Sequence, residues 1–373
     1  MKKKLLLSLC RLEFSVEKKE EIGGYIKKVA DWEYLFNAAN NHGVIALVQY
    51  NIQLLGFLES VPEQQQYKIH SGFLKSVARN ALISKIALEL DQIAGKENIR
   101  VVLLKGLALE KTIFGDKGLR QMTDIDIIVA PEDAMKLRRA MQENGFEAAP
   151  FISSIYERKL YVEGKHLPEL TKYGIDTEMH TRLFDQKGNS FTESLIERSY
   201  PSGLYRNLQY PDPQLHFLYL IKHLCKHESE GSSQLRMYTD LALIAEKDKT
   251  ILNEDLLSSA ESLSLDKSLK SKLQIINDFF DIPVPSFLKE NIPGNEDFIK
   301  IIRSPGKILS GGGQNIFKPL KYIEGSLNKI LFIAGYAFPS GKFLRYRYKN
   351  EKRKPLILSY FRWWFSIIVK ITG

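Results

Sequence analysis

Several shortcuts to function are missing from this chain. Its 373 residues hold two cysteines, Cys10 and Cys225, which excludes a disulfide framework and a cysteine metal cage. So few thiols fit a reducing, cytoplasmic setting. No stretch reaches the roughly 18 consecutive apolar residues that a membrane span needs. The start, MKKKLLLSLCRLEF, has the charged head of a signal peptide, but its apolar run is short and Arg11 and Glu13 follow at once. It reads as the first turns of a soluble helix. There is no internal repeat and no long low-complexity tract, which removes solenoids and disordered scaffolds. Acid is scarce at one end. From Lys342 onward nine lysines and arginines face Glu351 alone, so eight of the net nine positive charges sit in the tail. The rest is near neutral, and any contact with a polyanion falls to residues 342–373.

What is present changes texture along the chain. Residues 1–95 carry apolar positions at helical spacing, first Ala38, Val44, Leu47 and Val48, then Phe73, Val77, Leu82, Ile86 and Leu90, with Pro62 between the sets. Gly95 is the expected end of the last helix. Residues 99–104, IRVVLL, form a short β-branched run suited to a buried strand. A helix over 107–114, a glycine-containing loop over 115–123, a strand over 125–129 and a helix over 131–144 follow. Two more strands are expected, at 159–162 and at 175–180, the latter reached through the turn Tyr173-Gly174. On it Ile175, Thr177 and Met179 face one way, and Asp176, Glu178 and His180 the other. Residues 213–288 return to helical periodicity, and Gly311-Gly312-Gly313 marks a flexible segment. The expected class is α+β, with a helical region over 1–95, a core with a small mixed or antiparallel sheet over 96–185, a second helical region over 186–300 and a basic aromatic tail over 301–373.

The chemistry centres on Asp124-Ile125-Asp126. Strand alternation puts both carboxylates on one face, where they repel. A divalent cation relieves that repulsion, and Mg²⁺ commonly bridges one or two carboxylates to substrate phosphates. The plain alternative has Asp124 capping the strand and Asp126 in a surface ion pair. Upstream, Leu104-Lys105-Gly106 joins the first strand to a helix. Gly106 lets backbone approach a phosphate, the helix start attracts anions, and Lys105 adds a point charge for a triphosphate.

Strand, Lys-Gly, helix, loop and Asp-x-Asp strand is the layout of the polymerase-beta-like nucleotidyltransferases. Within that superfamily, LLKGLALEKTIFGDKGLRQMTDIDIIVAPEDAMKLRRAMQENGF resembles the bacterial uncharacterised nucleotidyltransferase family. The shared pattern is Leu-Lys-Gly, Gly118-Leu119-Arg120, Asp-Ile-Asp before apolar residues, and a helix ending at Gly145-Phe146. A later strand has hydrophobic-Glu-hydrophobic-His, here Thr177-Glu178-Met179-His180 with Thr in first place. Beyond it come a helix with His223 and His227, then Leu235-Arg236, and Asp240 before an apolar run. The resemblance spans about residues 35–250 and leaves out the tail from about 300.

It implies a polymerase-beta-type sheet and transfer of a nucleoside monophosphate from an NTP to an unknown acceptor, which could be a small molecule, a protein or RNA. It implies two Mg²⁺ ions held by Asp124, Asp126 and Glu178, with Glu178 helping to deprotonate the acceptor. Asp176, on the same face, competes for that place. Lys105 and Gly106 are the expected triphosphate contacts. Leu107 follows them where the wider superfamily has Ser. That departure keeps open a catalytically inactive nucleotide-binding scaffold or sensor. A nucleotidyltransferase toxin that modifies transfer RNA is a third reading.

Other residues carry two readings each. Arg120 reaches the γ-phosphate or pairs with Asp116. His180 orients Glu178, contacts the base, or is structural. His216, His223 and His227 share a helical face and either bind zinc or pack against the sheet. Arg236 and Asp240, one turn apart, form an ion pair, or Arg236 touches substrate. The tail, with Trp363, Trp364, Phe365, Ile367 and Ile368 beside Arg362 and Lys370, docks on the protein itself, lies on a membrane surface, or binds nucleic acid.

Overall fold

The computed structural model describes residues 2–29, 31–157, 166–184, 190–289, 298, 320, 323, 325–349 and 355–372. The chain divides into two compact units. One comprises Met1–Lys85, Lys105–Thr123 and Asp212–Gly311, the other Ile86–Leu104, Asp124–Pro211 and Gly312–Gly373. The long helix Glu63–Glu97 begins in the first and ends in the second.

The second unit holds the sheet. Among the described residues its strands are β1 (Val101–Leu104), β2 (Asp124–Ile128), β3 (Glu147–Ala148), β4 (Leu170–Lys172), β5 (Ile175–His180), β6 (Tyr200–Pro201) and β7 (Leu208–Tyr210). They lie in the order β3-β4-β5-β2-β1-β7-β6. β1 runs antiparallel to β2 and parallel to β7, β2 runs parallel to β5, and the outer pairs are antiparallel. The fold is therefore α+β with a mixed sheet.

Local sequence explains the central strands. All of Val101–Leu104 is buried, and so are Ile125, Ile127 and Ile128 of β2. That fits continuous apolar runs covered on both faces. β5 alternates instead, burying Ile175, Thr177 and Met179 while Asp176 is exposed and Glu178 half-buried. Its approach is the two-residue hairpin turn Tyr173-Gly174, with φ of +51° and +74°, which joins it to β4. Periodicity reveals none of β3, β4, β6 or β7, because two or three residues are too few to show alternation. The strand expected at 159–162 and the glycine run 311–313 lie outside the described residues.

Gly95 sits inside the long helix, and the left-handed Asn98 (φ +52°) follows the helix end instead. The glycine answers to packing, since a Cβ there would come within 2.5 Å of the Asn207 side chain. On the same helix Asp91 accepts the backbone N–H groups of Arg206, Asn207 and Leu208 at 3.3, 2.6 and 3.0 Å, fixing the approach to β7.

The first unit is helical among its described residues, with Phe36, Phe217, Tyr238 and Phe280 in its core. Its opening helix, Lys2–Ser8, buries Leu5, Leu6 and Leu7. Arg11 behind it donates to the Phe280 carbonyl and to Asp281, both at 2.6 Å. Ala38 lies in one helix, Trp32–Asn41, and Leu47 and Val48 in the next, Ile45–Leu54, whose N-cap is Val44.

The C-terminal helices, Ser326–Ala337, Gly341–Arg347 and Leu356–Thr372, belong to the second unit. The indole N–H of Trp363 donates to the Tyr336 carbonyl at 2.8 Å and that of Trp364 to the Ala337 carbonyl at 2.7 Å. Trp363 is buried, so part of the tail docks on its own chain. Among the described residues no helix is long and apolar enough to cross a membrane.

Candidate metal centre and the Lys105 turn

In the second unit β2 and β5 run parallel with Asp124 beside Asp176, Asp126 beside Glu178 and Ile128 beside His180. Register partners in a sheet point to the same face. The acids of two strands separated by some fifty residues therefore gather on one side. Asp126 is only 4 % exposed, which removes the surface-ion-pair reading for it. His180 is buried beside it, with Nε2 3.1 Å from Asp126 Oδ1 and 3.5 Å from Glu178 Oε2. An ionised Asp126 can only accept, so in this contact Nε2 is the donor. One ligand atom from each of Asp126, Glu178 and His180 lies within 4.8 Å of the others. Among the described residues no other group of three or more acids, histidines or cysteines converges in this way.

The donor set fits a divalent cation. Two carboxylate oxygens suit Mg²⁺ or Mn²⁺, an imidazole nitrogen suits transition metals, and three ligands leave room for substrate oxygens. Asp124 stands outside the three-ligand group. It is half-buried and two residues back on the same face. A further acid, Glu169, precedes β4 and was not apparent in the sequence, because it belongs to no recognisable motif. Burial pushes its carboxyl above the ordinary range, and the negative charges of Asp176, Glu178 and Asp124 push the same way. The acids of this face thus repel one another. Beside them the segment before β4 runs along β5. The Leu167 N–H donates to the Met179 carbonyl at 2.9 Å, and the His166 and His180 rings meet edge-on, 5.9 Å apart.

The first unit contains the Lys105 turn. Lys105 opens the helix Lys105–Thr112. Its φ of +46° is left-handed, a costly conformation for a residue with a side chain and one that recurs at functional sites. The buried His216 holds that shape, its Nε2 accepting the Lys105 backbone N–H at 3.0 Å. Gly106 has no room for a side chain: a Cβ would lie 2.5 Å from Arg120 Nη1 and 3.2 Å from Met122. Arg120 is itself buried, with Nε and Nη2 on the two oxygens of Asp240 at 2.9 and 2.8 Å. The backbone N–H groups of Gly118 and Arg120 go to the buried Glu110 carboxylate.

Two expected pairs are thereby corrected. Asp116 binds Lys111 at 2.5 Å, not Arg120. Asp240 takes Arg120, not Arg236, whose Nη1 donates to the Gln121 carbonyl. Fixed bidentate geometry makes Arg120–Asp240 the stronger choice, and a partner 120 residues away cannot be read from helical spacing.

The histidine-bearing helix Pro213–Ser229 also answers to this turn. His223 and His227 stack edge-on at 4.5 Å. Burial holds the His227 imidazole below its ordinary value, and the charges of Lys226, Lys105 and Arg236 add to that. Lys105 and Arg236 therefore contribute to one electropositive region. The zinc reading of these histidines has no support in the described ligand geometry.

A mixed sheet that gathers an aspartate and a glutamate from adjacent parallel strands, in an α+β chain, is consistent with a nucleotidyltransferase-type fold. The family described as Uncharacterised nucleotidyltransferase matches residues 28–281, and the chain belongs to it. The matched span includes every site residue named above, from Lys105 to Asp240. No curated protein and no solved structure matches the chain.

Proposed function

We propose that the protein moves a nucleoside monophosphate from an NTP to an acceptor hydroxyl or phosphate, releasing pyrophosphate, with Mg²⁺ as its metal. The observation that carries this reading is the convergence of Asp126, Glu178 and His180 on adjacent strands of the sheet in a member of this family. A bound divalent cation would neutralise triphosphate charge and make the acceptor hydroxyl more acidic. Asp126 and His180, both buried, hold fixed positions for it. Glu178 is half-buried and so has both a ligand oxygen and access to an acceptor, whose proton it takes. Asp124, on the same strand face, would supply a carboxylate to a second Mg²⁺ if one binds. Lys105, held in its left-handed turn by His216, contributes positive charge toward the phosphates. The chain's own contribution is positioning and charge, as phosphoryl chemistry requires.

The test uses radiolabelled ATP, GTP, CTP and UTP with cell extract as the source of acceptor. Wild-type protein should label a product in Mg²⁺ and not in EDTA. Asp126→Asn should lower that rate by about 10²- to 10³-fold, the loss expected when several kcal/mol of charge stabilisation goes, with an unchanged circular dichroism spectrum. Undiminished labelling by Asp126→Asn would remove the metal centre from the mechanism. Mg²⁺-dependent NTP binding without any product would assign the site to nucleotide sensing.

A further inference from the structure

The C-terminal helices turn apolar side chains toward solvent. On helix Leu356–Thr372 the inward positions include Ser359 and Trp363. Trp363 packs on Tyr336 and Phe343, and Arg347 covers its ring at 5.1 Å. The outward arc is Ile357, Leu358, Phe361, Phe365 and Ile368, with Phe361 59 %, Phe365 69 % and Ile368 56 % exposed. Helical spacing of three, four and seven residues puts these on one side of the helix. Helix Ser326–Ala337 repeats the pattern with exposed Leu327, Ile330 and Ile333. Exposed Phe338, after that helix, and Phe361 both flank the Trp364 ring, at 6.1 and 5.8 Å between centroids, so the two helices share this surface. Isolated exposed apolar residues are ordinary, but a whole outward arc of Ile, Leu and Phe marks an interaction site.

Charge identifies the occupant. Lys329, Lys342, Arg345, Arg347, Lys349 and Arg362 are all exposed, and residues 325–349 and 355–368 contain no aspartate or glutamate. A second copy of this surface would bring like charges together. A nucleic acid would answer the cations but leave the Ile and Leu side chains in water. An anionic bilayer surface satisfies both, with apolar side chains in the headgroup–acyl boundary and cations on lipid phosphates. No helix among the described residues is long and apolar enough to span, so the contact proposed is a peripheral one. We propose that helices Ser326–Ala337 and Leu356–Thr372 form a docking surface for anionic lipid bilayers.

Co-sedimentation of the full chain with vesicles tests this. Phosphatidylcholine vesicles containing phosphatidylglycerol should bind at least about tenfold more tightly than phosphatidylcholine alone, and high salt should weaken the binding. Two double variants separate the contributions: Phe361→Ser with Phe365→Ser, and Lys342→Glu with Arg345→Glu. All four positions are exposed, so both variants should melt like wild type, yet each should lose at least about tenfold in binding. Three results would overturn the proposal. One is wild-type protein that ignores anionic vesicles. Another is binding that the serine variant retains, with an RNA oligonucleotide competing. The third is a concentration-dependent dimer, abolished by the serine variant, in protein that does not bind vesicles.

Discussion

Thr177 is fully buried on β5 opposite Leu170, and its hydroxyl oxygen has no hydrogen-bond partner. The pattern that the sequence resembles has an apolar residue there. A buried hydroxyl left unpaired costs about 1–3 kcal/mol, and valine keeps the branched shape that strands favour. Thr177→Val should therefore stabilise the protein by about 1 kcal/mol, seen as a melting temperature about 1–2 °C higher. A lower melting temperature would show that the hydroxyl has a partner, such as a bound water. The sequence alone also separates poorly between residues of identical type. Asp124, Asp126, Asp176 and Glu178 were all legible as acids on one face. Burial of Asp126 and the position of His180 decide which of them form the tight group, and neither follows from spacing. Glu169 and the Arg120–Asp240 pair were illegible for a related reason, since each depends on segments brought together by the fold.

Elements were readable in proportion to their length and burial. The runs VVLL and DIDII announced β1 and β2, and the Tyr173-Gly174 turn announced β5. Edge strands of two or three residues gave no signal, and the sheet's outer half went unread. Two glycines at element junctions serve different physical ends, and stability measurements can separate them. Gly174 has φ of +74° with open space around it, so Gly174→Ala should cost only left-handed strain, about 1 kcal/mol in urea unfolding. Gly106→Ala would drive its Cβ against an Arg120 guanidinium already fixed by Asp240. Overpacking and disruption of a buried pair make that cost about 3 kcal/mol or more. Equal costs at the two positions would mean that Arg120 moves aside freely and does not brace the turn.

At the scale of the whole molecule, charge is partitioned by task. The sheet face gathers Asp124, Asp126, Asp176 and Glu178, while the positive charge of the sequence is concentrated in the tail. The composition announced that asymmetry, but which side of each tail helix meets solvent emerged only with the folded chain. The acidic face makes sense if a cation joins it. Crystals of the protein soaked in Mn²⁺ and measured for anomalous scattering test this most directly. The account predicts an anomalous peak bonded to Asp126 Oδ1, Glu178 Oε2 and His180 Nε2, absent in Asp126→Asn crystals. No peak there, or Mn²⁺ bound only at other sites, would contradict it.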